Sequence, residues 1–193
     1  LKILEEAVGE IQGVKTAVRP ECAMDLFISA YIPDQYIEDA EQRVDIYKKI
    51  AATATDEDQM DITDELCDRF GEPPEPVQAL IRVAMARNLA SSLGFTDVVQ
   101  GKDNLVFYPG EFVPEVAASL AGAYRGAFMA NAGSKPYYAL KLKKGETALD
   151  KIEEFLRTAA NIAAKAAAPA AKKDAISNPA AVQPAKDQPE PLR

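Results

Sequence analysis

The sequence predicts an α+β fold, with helices packed on a small antiparallel sheet and a disordered C-terminal tail. Three observations carry the prediction. Apolar residues recur at helical spacing through most of the stretch before Gly94, and after it the period shortens to that of strands flanking Gly101. The last 31 residues, from Ala163, contain 11 alanines and 5 prolines and almost no large apolar groups, so nothing there offsets the entropy of ordering.

Taken in order, Ile3, Leu4, Ala7, Val8 and Ile11 share one face of a short amphipathic helix over residues 1–12, stopped by Gly13. Val14 to Ile32 reads as extended, with one strand over 26–31 built on Leu26, Phe27, Ile28 and Tyr31. Asp39, three residues before Gln42, caps a helix ending near Ala54, with Ala40, Val44, Tyr47, Ile50 and Ala51 as its apolar stripe. Lys48 and Lys49 suit the negative end of that helix. In the next helix Ile62, Leu66 and Phe70 line one side, while Asp61, Glu65, Asp68 and Arg69 cluster on the other, and Gly71 ends it. Pro73, Pro74 and Pro76 then turn the chain into a helix carrying Val77, Leu80, Ile81, Ala84, Met85 and Leu89. Strands over 97–100 and 104–108 form a hairpin, a short helix covers Val113 to Tyr124, and two more strands occupy 127–130 and 137–142. Thr147 and Asp150 open a last helix whose core face is Leu149, Ile152, Phe155, Leu156 and Ala159.

Composition narrows the chemistry. With 22 Lys and Arg against 30 Asp and Glu the formal charge is -8, which disfavours sequence-independent binding to nucleic acid or anionic lipid and favours a basic partner. The stretch from Asp56 to Glu75 alone holds nine acidic residues and the single cation Arg69. There is no histidine, which removes the usual near-neutral general base and imidazole metal sites. No phosphate-binding glycine loop or nucleophile elbow occurs, and the carboxylates lack calcium-loop spacing. Cys22 and Cys67 have no neighbouring base and are assigned to packing; their lack of a disulfide framework suits the cytoplasm. The tyrosines, with few cations between them, read as core and rim rather than as a stacking platform for single strands. The residues by themselves thus describe an acidic, non-enzymatic domain that binds a partner, with the helix ending at Phe70 as its best surface.

Two stretches carry a family resemblance. Residues 30–37, Ala-Tyr-Ile-Pro-Asp-Gln-Tyr-Ile, precede Arg43-Val-Asp-Ile-Tyr-Lys-Lys-Ile-Ala51, and Asp64-Glu-Leu-Cys-Asp-Arg-Phe-Gly71 is followed by Pro73 and Pro74. In this order and separation they resemble the C-terminal domain of bacterial transcription-repair coupling factor (Mfd), over roughly residues 26 to 160. The resemblance implies three regions: 1–25, a helix and linker leading out of a motor module; 26–162, a C-terminal regulatory domain; and 163–193, a tail the family does not explain. The start at Leu1 agrees with an excised piece of a longer chain. It further implies a domain without catalysis that docks on a UvrB-like N-terminal module of the same parent, masks the surface that UvrA would use, and restrains an ATP-driven DNA translocase until RNA polymerase is engaged. The implied docking residues are Glu65, Asp68 and Arg69. No cofactor is expected in this chain, ATP and Mg belonging to the parent's motor, and neither direct nucleic-acid nor membrane contact is expected. Two alternatives remain open at this point: a stand-alone acidic adaptor and a small carboxylate-dependent hydrolase using Asp61 with Glu65.

Overall fold

The computed structural model describes residues 21–167, so the expected helix over 1–12 and the tail beyond residue 167 lie outside the described residues. Strand β1 (Ala23–Asp25) is followed by helices α1 (Ala40–Ala52), α2 (Asp56–Phe70) and α3 (Glu75–Ser92). The hairpin β2 (Phe95–Gln100) and β3 (Asn104–Pro109) leads to α4 (Pro114–Ala123), then β4 (Phe128–Asn131), β5 (Tyr137–Lys141) and α5 (Ala148–Ala167). The five strands form one sheet in the order β1-β2-β3-β5-β4.

Local chemistry sets the helix ends. The Asp39 carboxylate accepts from the Gln42 amide at 2.8 Å at the start of α1. Thr55 and Asp58 form a reciprocal capping box at the start of α2, and the Asp58 carboxylate also accepts from the Ala54 amide at 3.0 Å. These donors, the Ala54 amide first, hold the Asp58 carboxyl below its ordinary range. Gly71 ends α2 at φ 82°, where a side chain would be strained. The end of α1 is satisfied from another element: the Asn88 amide on α3 donates to the carbonyls of Thr53, at 2.6 Å, and Ala51.

Apolar burial divides into two clusters that meet at α3. The first is aliphatic: Ile37, Ile46, Ile50, Ile62, Leu66 and Val77 are buried between α1, α2 and the first half of α3, with Tyr36 and Phe70 closing one side. The second is aromatic: Phe95, Phe107, Tyr138 and Phe155 fill the space between the sheet and helices α4 and α5. The rings of Phe107 and Phe155 stack with centroids 4.0 Å apart. Helix α3 serves both, giving Val77, Ile81 and Ala84 to the first and Ala86 and Ala90 to the second. Arg82 on α3 braces the junction, donating from Nε to Glu153 of α5 at 2.8 Å and from Nη2 to Asp150.

Several expectations need correction. The strand expected over 26–31 lies instead at Ala23–Asp25, where it pairs parallel with Asp97–Val99, so the sheet is mixed rather than antiparallel throughout. The expected strand's Phe27 is 74% exposed, because no partner edge is left for it. In α1 the apolar stripe is rotated: Ile46 and Ile50 are buried, whereas Val44 is 53% exposed and Tyr47 faces outward with its hydroxyl accepting from the Ile32 amide at 2.8 Å. Ile46 and Ile50 bring Arg43 to the inner side, where its guanidinium donates to the carbonyls of Ile37 and Glu38. Helix α5 also runs past residue 162 to Ala167, with Ile162 packed against the aromatic core. Cys22 packs as expected, buried in that core just before β1, which pushes its thiol up to about 11. Cys67, assigned to packing, is exposed instead.

Candidate functional site

Helix α2 presents the three residues expected to dock. Ile62 and Leu66 fix its inner face, and burying a leucine of this kind is worth about 1.5–3 kcal/mol, so the outer face is held in a defined orientation. Glu65, Asp68 and Arg69 follow one another at the three- and four-residue spacing of one helix side.

They are not equivalent. Glu65 faces α1, where the Lys49 ammonium donates to both carboxylate oxygens at 2.7 and 2.9 Å. The Arg69 guanidinium donates to the same Oε1 and reaches Gln42 Oε1 at 3.5 Å. Asp45 lies 3.8 Å from Lys49 on the far side. The result is a ladder of alternating charge, Asp45, Lys49, Glu65, Arg69, laid across α1 and α2. Hydrogen bonds from Lys49 and then Arg69 hold the Glu65 carboxyl below the ordinary glutamate range. A carboxylate so engaged is a poor general base, which removes support from the hydrolase alternative built on Asp61 and Glu65. Arg69 lies 4.8 Å above the Phe70 ring, so its stem and charge are positioned from two sides. Asp68 is exposed and makes no hydrogen bond or ion pair among the described residues.

Sequence reasoning placed these three on one face but missed Lys49 and Gln42, which tie that face to α1. Lys49 read only as a cation at a helix end; its pairing across helices depends on the rotation of α1, which the stripe through Val44 and Tyr47 misassigned. The rotation leaves Val44 and Tyr47 as outward apolar groups on α1. Among the described residues no cluster of acidic or thiol side chains has metal-ligand form, and no described helix is long and apolar enough to cross a membrane.

Comparison with known proteins places this arrangement. Residues 26–117 match the model of the TRCF domain. The transcription-repair-coupling factor of Staphylococcus haemolyticus is 38% identical over 97 residues, which is 49% of this chain and 8% of that protein. The corresponding protein of Staphylococcus aureus is 36% identical over 107 residues, 54% of this chain and 9% of that one. The chain thus aligns with less than a tenth of the length of these relatives. A crystal structure of the C-terminal domain of transcription-repair coupling factor superposes with a TM-score of 0.65 at 19% identity, covering 76% of this chain and 96% of that one, and so shares the fold. Domain model, relatives and fold agree on one likeness: residues 26–117 match the TRCF domain, and the chain is similar to the C-terminal domain of transcription-repair coupling factors.

Proposed function

We propose that this chain is the regulatory C-terminal domain of a cytoplasmic transcription-repair coupling factor, docking through α2 on a UvrB-like module of the same parent. Docking would mask the surface that UvrA uses and restrain the parent's ATP- and Mg-dependent motor until RNA polymerase is engaged. The domain contributes no chemistry in this scheme. The observation that carries the proposal is the presentation of Asp68 and Arg69 on the outer side of a helix whose inner side is locked by Ile62 and Leu66 and whose flank is strapped by Glu65 to Lys49. A face held this firmly loses little side-chain and backbone freedom on association.

The test is Asp68→Lys in the full-length parent, compared with wild type in a UvrA pull-down and an ATPase assay. Asp68 has no internal partner among the described residues, so reversing it leaves the fold intact; circular dichroism checks this. UvrA capture and ATPase rate are expected to rise. Removing one member of a desolvated charged pair costs about 2–5 kcal/mol and a rim pair under about 1, so the size of the increase reports how deeply the contact is buried. Folded variants that stay as closed to UvrA as wild type would sink the proposal. Glu65→Lys is the less clean probe, because it also breaks the strap to α1.

A further inference from the structure

The far edge of the sheet differs in character from the rest of the domain. Strand β4 is the terminal strand of the order β1-β2-β3-β5-β4, and Met129, Ala130 and Asn131 are exposed on it. Its register with β5 pairs Met129 with Ala139 and Asn131 with Tyr137, and the Lys141 amide donates to the Ala127 carbonyl at 2.8 Å. In an antiparallel ladder hydrogen-bonded pairs alternate, so Ala127 turns its carbonyl, and Met129 and Asn131 their peptide groups, toward β5, while those of Ala130 point away from the sheet. The strand itself, Phe-Met-Ala-Asn, has no charge and no proline, the devices that usually discourage pairing at an edge.

Charge around this edge is reversed relative to the molecule. From Val116 through Gly145 there are five cations, Arg125, Lys135, Lys141, Lys143 and Lys144, and no acidic residue, in a chain of net charge -8. Arg125 and Lys141 lie by the Ala127 end of β4, and Lys135 lies in the turn beyond Asn131, 4.6 Å over the Tyr108 ring. None of these three has an ion pair among the described residues, so their charges are not neutralised within the domain. The opposite edge, β1, carries exposed Glu21 and Asp25 and would repel the same partner.

We propose that β4 is a docking edge for an acidic, extended peptide segment of a partner protein, which adds as a sixth strand beside Ala130 with its carboxylates set between Arg125 and Lys141 at one end and Lys135 at the other. Main-chain hydrogen bonds supply the pairing and the unmatched cations select the charge. This surface is separate from the α2 face and does not depend on the docking proposed for it.

The experiment titrates the full 193-residue chain against a fluorescein-labelled peptide of alternating glutamate and valine, followed by anisotropy at two salt concentrations. A lysine-valine peptide and a single-stranded oligothymidylate serve as competitors of different chemistry. Binding of the acidic peptide is expected, weaker at high salt, with the Ala130 amide slowed in hydrogen exchange. Ala130→Pro removes the outward N–H at a position where edge strands tolerate proline, and Arg125→Glu with Lys141→Glu reverses the charge; each is expected to weaken binding about tenfold or more with unchanged circular dichroism. Loss on charge reversal without loss on Ala130→Pro would overturn strand addition. Preference for the lysine peptide or the oligonucleotide, or self-association of the chain with no peptide binding, would overturn the choice of partner.

Discussion

The helical half and the sheet half of this domain are stabilised by different materials. Between α1, α2 and α3 the buried side chains are isoleucines with one leucine, one valine and one alanine, and the aromatic rings of Tyr36 and Phe70 stay at the margin, 6.0 Å apart. Against the sheet the interior is a lattice of rings, with Phe155 within 6.4 Å of Phe95, Phe107, Tyr124 and Phe128. The contrast extends to the surface. The helical half carries the acidic segment and the charge ladder, and the sheet half carries the run of five cations from Arg125 to Lys144 with no acidic residue among them. Aromatic packing concentrates much contact in few residues, so the sheet half depends on single side chains more than the helical half does.

The largest expected effect tests that dependence. Phe155→Ala should cost about 3–5 kcal/mol, because the ring is fully buried and its neighbours cannot all close on the space it leaves. Leu66→Ala, at the centre of the aliphatic core, should cost about 2–5 kcal/mol, toward the lower end if the surrounding isoleucines relax into the cavity. Whether α3 couples the halves is read from the cysteines. Cys22 reports on the sheet core, with a buried thiol pushed up to about 11, and Cys67 is exposed on α2 and should alkylate at once in the native state. If Leu66→Ala speeds Cys22 alkylation as much as Phe155→Ala does, the two cores open as one unit. If it leaves Cys22 protected, they open separately.

A smaller effect concerns acid. The Glu65 carboxyl is held below its unfolded value by Lys49 and Arg69, so its contribution to stability is present above the ordinary glutamate range and is lost as the pH falls through the folded-state value. Glu65→Gln should therefore lower stability at neutral pH and flatten the acid limb of the stability profile, by well under about 1 kcal/mol because the group is partly solvated. Measuring urea midpoints from neutral pH downward checks both the sign and the window. The smallest effect is expected for Asp68→Ala, within about 0.5 kcal/mol, since an exposed side chain without an internal partner contributes little to folding. A larger loss would mean that the outer face of α2 is structural rather than free to engage a partner.

Elements governed by local chemistry were legible before the structure. The hairpin around Gly101, the stop at Gly71 and the face Leu149, Ile152, Phe155, Leu156 and Ala159 all lie where spacing and turn residues put them. What was not legible depends on distant partners. Residues 26–31 have better strand composition than 23–25, but pairing with Asp97–Val99 decides, and no local rule contains that edge. The stripe of α1 had two possible phases, and the isoleucines won because α2 and α3 offer aliphatic surface to Ile46 and Ile50. The candidate site was half legible for the same reason: Asp68 and Arg69 follow from helix spacing, while the tie from Glu65 to Lys49 required the rotation of α1.

The parallel pairing of β1 with β2 gives the domain a clasp. Residues 26–94, the whole helical half included, form a loop whose two ends are neighbouring strands, fastened further by the Cys22 amide donating to Ser91 Oγ at 2.8 Å. Closing a loop of that length carries an entropic cost that grows only slowly with length, but the contact cannot form early, so the clasp belongs to the late part of folding. It also sets a mechanical path. Tension arriving through residue 21 meets β1 first and loads its short ladder to β2 before it reaches α1 or α2, so a pull from the upstream chain would unfasten the sheet edge while the helical half keeps its shape.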